Sequence, residues 1–298
     1  MPSRWSDPVK ERRGKSTVSA GAYGLQVELD GGEGLLGPAG ADWMPWELRV
    51  DCSATGLERP PAGSAYVDQN EAMNPIDGGG WALVDRLAAT TTFRLAAPPG
   101  APALAHPLLS FTGAVVAWWR GHNAFHAGAF VVAQRTWAVI GAKQAGKSSL
   151  LAALAQAGHQ VLSDDLLVIR DGRCLAGPRA IDLRAEVSAR FPRATPTASI
   201  AGRTRWRLPL GAVAAEAPLA GWITLGWSDR ARLIELPVVE RMPLVAGAFA
   251  IRLPPPDLPG LLGLAALPML RFERPRELDQ LDVSARVLAE RLADKRDD

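Results

Sequence analysis

Residues 137–165, WAVIGAKQAGKSSLLAALAQAGHQVLSDD, decide how the rest of the chain is read. An apolar run at 137–140 leads into Gly141-Ala142-Lys143-Gln144-Ala145-Gly146-Lys147-Ser148, which fits G-x-x-x-x-G-K-[ST] at the junction of a strand and a helix. Glycine at 141 and 146 lets backbone N–H groups turn inward around a polyphosphate at a helix N-terminus. Lys147 reaches the β- and γ-phosphates, and Ser148 offers a hydroxyl to Mg²⁺, which prefers oxygen ligands and keeps several waters. The expected cofactors are therefore ATP and Mg²⁺, cradled by this loop together with Ser149.

Beyond the loop, Leu150, Leu151, Leu154 and Ala157 recur at helical spacing, and Gly158 is placed as a C-terminal cap. Val161-Leu162 reads as a short buried strand ending at Ser163-Asp164-Asp165. The phosphate loop and this carboxylate pair thus fall at the ends of neighbouring predicted strands. One carboxylate can hold Mg²⁺ while the other accepts a proton from an attacking hydroxyl, although paired aspartates after a strand also serve as caps or solvated turns. Residues 127–133 and 136–140, separated by Gln134-Arg135, suggest a hairpin that feeds the loop, and residues 166–169 with Asp171-Gly172 suggest another.

The 298 residues are 48% hydrophobic and 21% charged, a globular composition with length for one large domain or two ordinary ones. The formal net charge is +2, and no basic stripe interleaved with aromatics marks a nucleic-acid surface. Two of the five lysines, Lys143 and Lys147, lie in the loop. Cys52 and Cys174 stand apart from each other and from histidine-rich spacing, so neither a disulfide framework nor a zinc site is indicated. The N-terminus lacks a signal-type apolar core and the apolar run at 261–270 is short, so the expectation is a cytoplasmic protein without membrane contact. Homo-oligomerisation is left open.

Residues 1–16 read as a disordered tail and 17–106 as a β-rich lobe of short strands and Gly/Pro turns, with Trp43 and Trp46 as anchors of a small core. Residues 97–102 form the linker candidate. Residues 107–298 read as an α/β phosphate-loop domain, closed by a helix whose stripe is Leu278, Leu281, Ala285, Leu288 and Leu292. For Arg203, Arg205 and Arg207, a solvated edge strand competes with a clamp on transferring phosphate.

From about 107 to 210 the residues resemble the bacterial HPr kinase/phosphorylase family, whose catalytic domain shares its phosphate-loop fold with phosphoenolpyruvate carboxykinase. His126 precedes the loop at the family's spacing, the loop helix ends in Ala157-Gly158-His159, and Val161-Leu162-Ser163-Asp164-Asp165 follows. The resemblance implies that Asp165 is the acid/base, that His126 belongs to the site, and that Pro178-Arg179-Ala180-Ile181-Asp182-Leu183-Arg184 is the metal-binding stretch, with Asp182 where the family has glutamate. Together with the loop motif and with Arg207 chosen from the arginine run, this leaves Mg²⁺ to Ser148, Asp164 and Asp182 and catalysis to Asp165, His126, Lys147 and Arg207; the family's R-P-G-R-N-like segment for phosphorolysis has no counterpart. Similar divergent kinases accompany peptide natural-product clusters, including lasso peptides, where they phosphorylate a precursor peptide. The expected activity is ATP-dependent phosphorylation of a hydroxyl, a serine of a peptide or small protein. A small-molecule kinase and a nucleotide-binding regulator are the alternatives.

Overall fold

The structure is a computed structural model and describes residues 19–53, 65–197 and 204–294. The expected tail, 1–16, and Arg203 lie outside the described residues. The centre is a nine-stranded mixed sheet. One path across it runs Asn123–Phe125, Leu167–Arg170, Arg173–Leu175, Glu216–Trp227, Arg135–Ile140, Gly128–Val132 and Gln160–Ser163. Met269–Arg274 pairs parallel with the C-terminal half of Glu216–Trp227 and carries Arg232–Glu235 on its other side.

The strand before the loop, Arg135–Ile140, pairs parallel with Glu216–Trp227 and antiparallel with Gly128–Val132. Gly128–Val132 in turn pairs antiparallel with Gln160–Ser163, so it stands between the loop strand and the aspartate strand, which are not adjacent as expected. Two successive antiparallel pairings still leave those two strands pointing the same way. The C-terminal ends of Arg135–Ile140, Gln160–Ser163, Glu216–Trp227 and Met269–Arg274 therefore share one rim. In open α/β sheets that rim is where ligands bind.

Both hairpins form, with the turn of the first one residue earlier than read: Ala133 and Gln134, at φ 49° and 61°, link Val132 to Arg135. Asp171 and Gly172 take the same left-handed geometry, whose twist matches that of the flanking strands. The loop helix, Lys147–Gln156, ends as its sequence indicates. Gly158 has φ 92°, its N–H donates to Ala155 O, and His159 N–H donates to Leu154 O, which satisfies otherwise orphaned carbonyls. This helix buries Leu150, Leu151 and Leu154 in a cluster with Phe130, Val139 and Phe272 from the sheet and Ala285 and Leu288 from the closing helix, Leu281–Asp294. Leu278 stands outside that stripe, 38% exposed and ahead of the helix.

The N-terminal residues form a four-stranded sheet within 20–45 and a five-stranded sheet ordered Glu47–Asp51, Thr90–Arg94, Trp81–Asp85, Glu71–Pro75, Tyr66–Val67. Trp43 and Trp46 are buried, and Trp46 Nε1 donates to Thr91 Oγ1 at 2.9 Å. Their cluster is continuous with that of the central sheet: Ala22, Tyr23, Leu25 and Trp43 share it with Phe125, Ala138 and Trp222. The deepest graft is Tyr23, whose N–H donates to Ala176 O and whose ring lies against Gly113 and Gly177.

The N-terminal sheets and the central sheet meet along a helical run, Ala101–Trp119. It bends at His106 (φ −155°), which precedes a cis Pro107. Among the described residues this is the one helix long and apolar enough to cross a membrane, yet Leu109, Val115 and Val116 are buried in the shared core. Arg205–Pro209 is the middle strand of a three-stranded sheet between Ala180–Leu183 and Thr195–Thr197, not an edge strand.

Candidate functional site

The loop after Arg135–Ile140 closes tightly because Gly146, the residue before the helix, takes the left-handed conformation (φ 81°, ψ 29°) that only glycine enters without cost. Lys147 and Ser148 open the first turn of the helix, whose backbone N–H groups have no intrahelical partners. Lys147 Nζ donates to Gly141 O at 2.7 Å, which ties the ammonium across the loop. Burial lowers the lysine pKa, and the charges of Asp164 and Asp165 work against that shift. Lys143 and Gln144 are exposed.

Ser148 Oγ donates to Asp164 Oδ1 at 3.2 Å, which brings together the hydroxyl and one carboxylate paired in the sequence. Asp164 is 7% exposed. Burial raises its pKa, with the charge of Asp165 adding to the rise, to about 6; the Ser148 hydrogen bond and the charge of His106 oppose it. Asp165 has φ 67°, and Leu166 N–H donates to Asp164 O at 2.8 Å across it, so the aspartate is the middle residue of a tight three-residue turn. That geometry is rare and strained by roughly 1–3 kcal/mol for a residue with a side chain. Ser163 Oγ latches the turn by donating to Leu166 O at 2.5 Å.

Lys147, Ser148, Ser149, Asp164, Asp165 and Asp182 line one cavity of about 920 Å³. A second cleft of about 620 Å³ meets it at Asn74, Phe111 and Asp165, and is walled by apolar side chains such as Met73 and Ile251. His126 lines this second cleft, not the loop cavity, and is exposed in the bend between Asn123–Phe125 and Gly128–Val132. Asp165 is thus shared by the two spaces.

Arg207 and Asp182 meet each other. Arg207 Nε and Nη2 donate to the two Asp182 oxygens, each at 2.7 Å, while Nη2 also reaches His106 O at 2.8 Å and Nη1 reaches Pro102 O. The guanidinium is 8% exposed and holds the bent helical run to the three-stranded sheet. A clamp on transferring phosphate needs donors to spare, and most of those of Arg207 are spent. Asp182 presents both oxygens to Arg207, so its charge is already paired, while each oxygen keeps a second lone pair facing the cavity it lines. Ser148 and Asp164, by contrast, offer a hydroxyl and a buried carboxylate with no cationic hydrogen-bond partner. That donor set fits Mg²⁺, which takes one or two carboxylates and completes its shell with phosphate and water.

Two further residues emerged only in three dimensions. His106 lines the loop cavity, with Nε2 3.8 Å from Asp182 Oδ2 and Nδ1 3.4 Å from Ser110 Oγ. Its one sequence signal is a His-Pro pair inside an apolar run. Arg274, at the end of Met269–Arg274, donates from Nη2 to Ala145 O at 3.1 Å and Gly146 O at 3.2 Å. Nothing local to residue 274 indicates this, since the contact spans well over a hundred residues.

No protein-family model matches the chain, and no curated protein matches it. Among solved structures, the Hpr(Ser) kinase/phosphatase from Coxiella burnetii is similar at 14% identity, over 58% of this chain and 99% of that chain, with a TM-score of 0.30. A likeness of that size does not specify a reaction.

Proposed function

We propose that the protein is an ATP- and Mg²⁺-dependent kinase that transfers the γ-phosphoryl group to a hydroxyl, that of a serine in a peptide or small protein, in the cytoplasm. The observation that carries this reading is the convergence at one rim of a glycine-bounded phosphate loop and two aspartates in different settings. Asp164 is buried and joined to Ser148; Asp165 is strained and stands where two clefts meet. Pairs of titratable groups held in contrasting environments are a recurrent feature of catalytic sites.

In this reading the loop N–H groups and Lys147 hold the β- and γ-phosphates, which requires Lys147 to release Gly141 O. Ser148 and Asp164 would hold Mg²⁺, which when bound neutralises charge on the phosphates. The acceptor enters from the second cleft, which shares Asp165 with the loop cavity. Asp165 takes the proton of the acceptor hydroxyl as the new O–P bond forms. The bond from Pγ to the β,γ-bridging oxygen breaks with its electron pair leaving on ADP, and Asp165 returns the proton to solvent. The apolar walls of the second cleft favour an acceptor with apolar flanks.

The test combines calorimetric ATP binding with phosphate incorporation into a degenerate mixture of serine peptides. Lys147→Ala should lose ATP binding and transfer together. Asp165→Asn, which keeps shape but has no basic oxygen, should bind ATP nearly as the parent does while the rate falls ~10²- to 10⁴-fold. ATP binding unaffected by Lys147→Ala would remove the phosphate-loop reading. Unaltered transfer by Asp165→Asn would remove the base.

A further inference from the structure

Arg274 is a buried cation without an anion. Its side chain is 3% exposed, no carboxylate pairs with it among the described residues, and its Nε has no hydrogen-bond partner. Its other contacts are the loop carbonyls of Ala145 and Gly146 and the ring of Trp227, whose centroid lies 4.4 Å from the guanidinium carbon. Burial alone lowers its pKa, to about 10, so it stays charged at neutral pH. Burying an unpaired charge is costly, and a cost of this kind calls for a compensating interaction.

The geometry supplies one. A trans peptide is planar, with its C=O and N–H on opposite sides. A donor that holds the carbonyls of residues 145 and 146 therefore holds the N–H groups of Gly146 and Lys147 turned the other way. Arg274 is not among the residues lining the loop cavity, although Trp227 is. A Cβ built on Gly146 would come within 2.5 Å of Arg274 Nη2. The second loop glycine is thus required on this side too, because a side chain there would push the guanidinium off the carbonyls.

We propose that Arg274 is the positioning residue of the anion cradle. From behind the loop it fixes the N–H groups of Gly146 and Lys147 toward a polyphosphate and adds an uncompensated positive charge to the field the polyphosphate enters. Trp227 covers the guanidinium and keeps it dry. This inference rests on the phosphate-loop reading above and goes beyond it by assigning the affinity to a residue outside the motif.

The discriminating property is dependence on ligand charge. Binding of ATP, ADP and inorganic tripolyphosphate, each with Mg²⁺, is measured by calorimetry well below the melting temperature for the parent, Arg274→Met, Arg274→Lys and Lys147→Ala. Arg274→Met should weaken ATP and tripolyphosphate by ~10- to 100-fold, the scale of losing charge-assisted hydrogen bonds, and ADP by less. Arg274→Lys keeps the charge without the planar fork and should fall between, with the preference for ATP over ADP largely kept. A purely structural arginine would lower the melting temperature of Arg274→Met and leave the ratio of ATP to ADP affinity unchanged, which overturns the proposal. So does parental binding by Arg274→Met when Lys147→Ala has lost it. If the parent binds none of the three ligands, the phosphate-loop reading fails and the inference with it. Should Arg274→Met not fold, the same comparison on Arg274→Lys decides, because loss of the lysine variant's ATP preference contradicts the field effect.

Discussion

Replacing Asp164 by asparagine should stabilise the protein in the absence of ligand, by an amount that depends on pH in a defined way. Asp164 is buried, and its pKa is raised by burial and by Asp165 to about 6, against about 3.9 for a free aspartate. The folded state therefore binds a proton more tightly than the unfolded state, and stability falls as pH rises between those two values. Below pH ~4 both states are protonated and the penalty is absent; above pH ~6 both are ionised and it is complete. Two units at 1.36 kcal/mol each set a ceiling of about 3 kcal/mol. The amide keeps an oxygen for the Ser148 hydroxyl, so most of this should appear. With an unfolding entropy of about 2.1 cal/mol/K per residue, a 298-residue chain should gain roughly 3–5 °C in melting temperature at pH 7.5. Thermal and urea denaturation at pH 4 and pH 7.5, with and without Mg²⁺ and nucleotide, are the assays. The gain should vanish at pH 4, and ligand should stabilise the parent more than Asp164→Asn. A variant less stable than the parent by the same amount at both pH values would refute the reasoning, because Asp164 would then contribute through packing alone.

Two other perturbations separate structure from chemistry. Arg207→Met leaves Asp182 buried without its guanidinium and frees the carbonyls of Pro102 and His106; breaking a buried pair from one side costs about 3–5 kcal/mol, readable in urea melts, and a loss under 1 kcal/mol would mean that the clamp is dispensable. Gly177→Ala places a methyl 2.2 Å from Ser163 Oγ and 3.0 Å from the Tyr23 ring, so overpacking should cost roughly 1–3 kcal/mol and loosen the latch on the Asp165 turn; unchanged stability would show that Ser163 rotates away freely.

Local pattern carried what local physics controls. The strand–turn–helix run around Gly141 and Gly146, the Gly158 cap, the existence of both hairpins and the stripe from Leu281 to Leu292 are legible because each depends on a few consecutive residues or one periodicity. Strand order was not: inserting Gly128–Val132 between the loop strand and the aspartate strand is a choice among long-range pairings that β-rich runs leave open. The pairing of Arg207 with Asp182 is hidden for the same reason, since charge type is visible in sequence while partner choice depends on register. Helix Ala101–Trp119 is not legible in the sequence because a buried helix is apolar all round and shows no amphipathic period, and its His-Pro kink reads as a boundary.

Tyr23 reaches the residues behind the Asp165 turn from the far end of the chain. Its ring fills the space between Gly113 and Gly177, next to the hydroxyl that latches the Asp165 turn. The first strands therefore act as a plug and not as an appended module. A fragment beginning near Pro107 would keep every residue named in the phosphate-loop motif and open a hole under its aspartates. Such a chain is poorly suited to trading its first third for another by recombination, because any replacement would have to supply an aromatic wedge at the same point beneath the Asp165 turn.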